Sequence, residues 1–174
     1  MTQDPPETTS ARPAIDPAQV ELAMQAFRSE QNLMMGIAAG GAAALAGAAA
    51  WAIITVATDF QIGWMAVGVG FLVGYAVRAL GKGIDRQFGI AGASLSFLGC
   101  VLGNLLAVCI MAAKQEKIPV MDILTQLTPG LASELMKATF HPMDLLFYGI
   151  AVYEGYKLSF RRLSPQEMDR ALGR

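Results

Sequence analysis

From Leu33 to Ala113 the chain carries only five charged side chains, Asp59, Arg78, Lys82, Asp85 and Arg86, all in or beside two short breaks between apolar runs. Each run approaches the ~20 residues needed to cross ~30 Å of hydrocarbon. In lipid every backbone amide must be satisfied within its own segment, so such runs are predicted to be helices. Composition agrees: 16% of the 174 residues are charged and mean hydropathy is +0.44, where a soluble domain carries about 25% charge. The expected fold is all-α, an integral-membrane four-helix bundle with short amphipathic flanking helices.

The runs predict spans at about 33–57, 63–80, 88–113 and 142–160. The first begins only after 32 mostly polar residues and is too long for a signal-peptide core, so it reads as a retained span. Trp51 reads as an interface anchor toward its far end, and Trp64 as another at the start of the second span. Residues 1–15, rich in Pro and Thr, are expected to be disordered. Asp16-Pro17 then opens an amphipathic cytoplasmic helix within 16–32, with Val20, Ala23, Met24 and Phe27 on one stripe. Residues 114–141 contain Pro119 and Thr128-Pro129, which predict two short helices in the plane of the outer interface, a re-entrant pair being the alternative. Ser164-Pro165-Gln166-Glu167 is a capping box opening a tail helix within 161–174.

Small residues recur every three or four positions along each of the first three spans. Gly36, Gly40, Ala44 and Ala48 form one series, Ala66, Gly70 and Gly74 another. Gly92, Ser96, Gly99 and Gly103 lie on the third. Such faces let helix backbones approach closely, and Gly36, Gly40, Gly70, Gly74, Gly99 and Gly103 are the candidate packing positions.

Basic residues set the orientation. With the N-terminus inside, ten of the 13 Lys and Arg residues lie on the cytoplasmic side, and Lys114, Lys117 and Lys137 lie outside. Both ends are therefore expected in the cytoplasm of a bacterial inner membrane. Net charge is −1, which provides no basic field for nucleic acid.

Few residues suggest chemistry. Arg78 and Glu154 are predicted at depths differing by ~5 Å on spans of the same direction. They form either an intramembrane polar pair or, separately, a snorkelling Arg78 and a Glu154 paired with Lys157. Asn104 is either an interhelical hydrogen-bonding residue or a polar lining. His141 can bind a metal only with help from Glu134 or Asp122, and Asp144 beside it suits a helix start. Cys100 and Cys109 face opposite sides of one helix. No nucleophile, metal or phosphate-loop motif occurs, and no cofactor is implied.

The segment GWMAVGVGFLVGYAVRALGKG, followed by FGIAGASLSFLGCVLGNLLA, resembles a group of uncharacterised bacterial four-span membrane proteins over residues 33–113. Some members carry a zinc ribbon ahead of the first span; this chain has no cysteine there. The resemblance implies a topology and no activity. The expected function is a non-enzymatic membrane interaction or assembly component, bound to lipid and to other membrane proteins or its own copies. A small oligomeric channel or transporter lined by Asn104, Glu154 and Arg78 is the alternative.

Overall fold

In a computed structural model that describes residues 16–59 and 63–173, the chain forms eight helices and no strand among those residues. They are α1 (Pro17–Ser29), α2 (Leu33–Thr58), α3 (Trp64–Gly81), α4 (Arg86–Glu116), α5 (Val120–Thr125), α6 (Pro129–Thr139), α7 (Pro142–Leu158) and α8 (Pro165–Ala171). The tail expected to be disordered, residues 1–15, lies outside the described residues, as do Phe60, Gln61, Ile62 and Arg174.

The chain divides into two units, residues 30–162 and the two ends. In the terminal unit Asp16 accepts a hydrogen bond from the Ala18 amide at 2.9 Å and starts α1. Ala23 and Phe27 are its buried residues. At α8 the Ser164–Glu167 capping box is present in both directions, at 2.9 and 3.2 Å.

In the larger unit, α2, α3 and α4 are long and apolar enough to cross a membrane. At 31 residues α4 overruns the apolar segment at both ends. Asp85 holds extended backbone before it, and Lys117 turns left-handed after it. Its ends are polar, so nothing in the hydrocarbon argument stops the helix at the apolar boundary. α7 has 17 residues, about 25 Å.

The contacts fix the directions. Gly36 lies against Phe88, Gly40 against Leu95, and Gly103 against Ala48, so α2 and α4 run parallel. Gly70 lies on Ala151 and Gly74 on Leu158, so α3 and α7 are also parallel. Gly81 beside Gly36 and Val69 beside Gly47 make α2 and α3 antiparallel. α4 runs against α7, with Tyr148 at Cys100 and Phe160 at Gly89. The four helices thus alternate in direction, with α3 and α4 between α2 and α7.

A polar knot ties one end. The Asn32 amide donates to Gly81 O at 2.9 Å, and the Asn32 side chain caps α2 through the Met35 amide. The Gln31 side chain accepts from the Ile84 and Asp85 amides and donates to Asp85 Oδ2. The Arg161 amide donates to Gly83 O at 2.7 Å, and its guanidinium meets Glu30. At the other end Lys114 pairs with Asp59 at 2.9 Å, an exposed bridge worth ~1 kcal/mol or less.

Three helices end on a non-glycine left-handed residue, Asp59, Lys82 and Lys117. That conformation costs roughly 1–2 kcal/mol for a residue with a Cβ, partly offset in glycine by its larger unfolded-state entropy. Lys117→Gly is therefore expected to raise the unfolding free energy by about 0.5 kcal/mol, measured by denaturant titration in detergent.

Candidate functional site

The glycines define how close the helices come. A Cβ at Gly70 would lie 2.7 Å from the Ala151 Cα, and one at Gly74 2.7 Å from the Leu158 Cβ. At Gly40 it would meet Val77 and Leu95 at 2.6 and 2.8 Å, and at Gly99 Val69 at 2.8 Å. Gly36 is limited by Gly81 at 3.2 Å, Gly103 by Trp51 at 3.0 Å. All six candidate packing glycines thus face other helices of the same chain. Gly92, Ser96, Gly155 and Ser159 make a further small-residue crossing between α4 and α7. Its α7 half went unremarked in the sequence. The signal was there, since Gly155 and Ser159 stand four apart.

Beyond Gly103 lies a buried polar cluster. The Tyr148 hydroxyl donates to Cys100 O at 3.2 Å and also hydrogen-bonds the Asn104 side chain. Asn104 Nδ2 lies 3.7 Å from Met136 Sδ on α6. Cys100 Sγ sits 3.7 Å from Ala66 O. The Tyr148 ring is met edge-on by Trp51, Phe97 and Phe140 at 5.9–6.3 Å between centroids. Asn104 is 1% exposed, an interhelical link in the protein interior. Sequence reading missed Tyr148, although a phenol midway along an apolar span needs a hydrogen-bond partner.

Trp51 corrects an expectation. It is 1% exposed and packed against Gly103 and Tyr148, where an interface anchor was predicted. Gly103 leaves the room that an indole needs, and the α2 face at this height is internal. Trp64 is exposed and rests on Phe147. The Trp51 indole nitrogen and the Thr55 and Ser96 hydroxyls are buried without a hydrogen-bond partner.

Arg78 and Glu154 are both half-buried. They are not joined by an ion pair or hydrogen bond among the described residues. The α3–α7 register explains this: Gly74 already sits beside the Glu154 carbonyl, placing Arg78 a turn further along. Lys157 lies over the Tyr153 ring at 5.4 Å. The His141 amide and Asp144 form a capping bond at 2.8 Å that starts α7, and the His141 ring meets Thr139 O. No three His, Cys, Asp or Glu side chains converge among the described residues. Cys100 and Cys109 are both buried free thiols.

Comparison with protein-family models, curated proteins and solved structures gives no match.

Proposed function

We propose that this chain is a four-span protein of the bacterial inner membrane, with both ends in the cytoplasm, that works by holding another membrane component. α7 supplies the fourth crossing. Alone it is short, but it lies along α4 from Cys100 to Gly89 and along α3 from Gly70 to Gly74, inside the stretch that the longer helices carry through hydrocarbon. The basic residues then gather at the knot end.

The observation that carries the functional reading is the closeness of the helices. α3 rests on the backbone of α7 at Gly70, and α2 on α4 at Gly99 and Gly103. At these positions side chains and backbone of neighbouring helices meet directly. The small-residue faces are used within the chain, so a partner must meet the outward surface. There, a Cβ at Gly41 or Gly68 has nothing within 4 Å.

Two measurements test this. Liposomes containing the protein are expected to conduct no more than empty ones, with Glu154→Gln indistinguishable from wild type. Gly68→Cys, with Cys100 and Cys109 replaced by Ala, is expected to crosslink in native membranes to a defined second chain. Solute flux that Glu154→Gln abolishes would overturn the proposal in favour of an oligomeric channel. Absence of any adduct from both Gly41→Cys and Gly68→Cys would remove the partner-binding claim.

A further inference from the structure

Along the seam of α4 and α7 runs an apolar furrow. One hollow of about 460 Å³ and another of about 430 Å³ share Phe97 and Val152. A third of about 270 Å³ adds Lys137 and shares Met136 and Phe140 with the first. The strip therefore starts at Lys137 on α6 and ends at Ala93 on α4.

Its height follows from α4. Met136 contacts Asn104, 18 residues beyond Arg86, or about 27 Å along the axis. Ala93 is seven residues beyond Arg86, or about 10 Å. The furrow thus covers ~17 Å and begins near one face of a ~30 Å hydrocarbon layer. One leaflet's acyl chain has that extent.

We infer that the furrow binds one anionic phospholipid, its acyl chain along the α4–α7 seam and its phosphate at Lys137. The inference rests on the membrane reading and goes beyond it by naming a ligand. Lys137 is exposed and has no ion pair or hydrogen bond among the described residues. The only acidic side chain within a turn of it on α6 is Glu134. It is the cation of the furrow mouth, and every other residue around the three hollows except Ser94 and the Tyr148 hydroxyl is apolar. That hydroxyl is tied to Cys100 O, which holds the ring as a fixed floor. Preformed, largely apolar sites with one placed charge suit such a ligand.

Gly149 forms part of the furrow wall. At Gly155 a neighbouring helix takes the space. At Gly149 a Cβ would meet nothing within 4 Å, and the residue lines the furrow. Its absent side chain keeps the furrow deep.

The test is native mass spectrometry of full-length protein purified in mild detergent and offered equimolar phosphatidylglycerol and phosphatidylethanolamine. Wild type is expected to retain one lipid, favouring phosphatidylglycerol at least five-fold. Gly149→Leu, at a position where an added Cβ has open space, puts a side chain into the furrow and should lower retention at least ten-fold, with thermal unfolding unchanged. Gly68→Leu, outside the furrow, should retain lipid. Lys137→Gln should abolish the headgroup preference. Retention by Gly149→Leu equal to wild type overturns the site. So does a changed oligomeric state in that variant with lipid retention intact, which would mark the seam as a face between copies. Wild type without headgroup preference overturns the assignment of Lys137. Protein that stays monodisperse without detergent would instead sink the membrane reading itself.

Discussion

Gly70→Ala is expected to cost the protein about 3 kcal/mol, while Gly68→Ala, on the same helix two residues earlier, leaves it as stable or more so. The added Cβ at Gly70 runs into the oxygen, the Cα and the carbonyl carbon of Ala151. These are backbone atoms of a residue with no exposed surface, so no rotamer change relieves the clash. Overpacking of this kind costs ~1–3 kcal/mol and sometimes more, and rigid backbone places it at the top of that range. At Gly68 the Cβ has nothing within 4 Å. There only helix propensity acts, and Ala is favoured over Gly by up to ~1 kcal/mol. Thermal unfolding of both variants in one detergent checks the opposite signs. Equal effects would mean that α3 does not rest on α7 through Gly70. Because that face is internal, the primary effect of Gly70→Ile is loss of fold, and any change in association is secondary.

The second large effect lies at the α4–α7 crossing. Gly155→Ala puts a methyl group onto the Ser96 hydroxyl, with Gly92 O and the Ser96 Cβ both at 2.9 Å. A loss of about 2–3 kcal/mol is expected. Ser96→Ala has the opposite sign. Its hydroxyl is buried with no hydrogen-bond partner, and an unsatisfied buried hydroxyl costs ~1–3 kcal/mol. Removing it is expected to stabilise by about 1 kcal/mol. Combining Gly155→Ala with Ser96→Gly separates direct contact from general damage, since the space vacated at 96 admits the methyl at 155. The double variant should recover more than 1 kcal/mol of the loss, within the range known for touching pairs. Strict additivity would show that the two positions do not meet.

Much of this packing was legible in the chain. Gly40 was separated from Gly41, and Gly70 from Gly68, by the four-residue period alone, and the inward members of each pair are those on the period. Helix ends were legible where the capping chemistry is local, as at Asp16, Thr128 and Ser164. What the period cannot give is the partner. Nothing at Gly70 says that it meets Ala151, 81 positions away. Nothing at Trp51 distinguishes a headgroup anchor from an indole that fills the space beside Gly103. The separation of Arg78 from Glu154 is similar. Counting residues from the span ends put them within ~5 Å in depth, but the register set by Gly74 against Leu158 decides whether they touch.

The seat of α7 has a consequence for how the protein is made. A chain emerges from the ribosome N-terminus first, so α2, α3 and α4 are made before α7 exists. Until then Gly70, Gly74 and Gly92 line a bare trough between α3 and α4. α7, the last and shortest of these four helices, then docks into a slot already cut to its shape. A nascent chain halted after Glu116 would leave that slot empty, with the faces of Gly70, Gly74 and Gly92 uncovered.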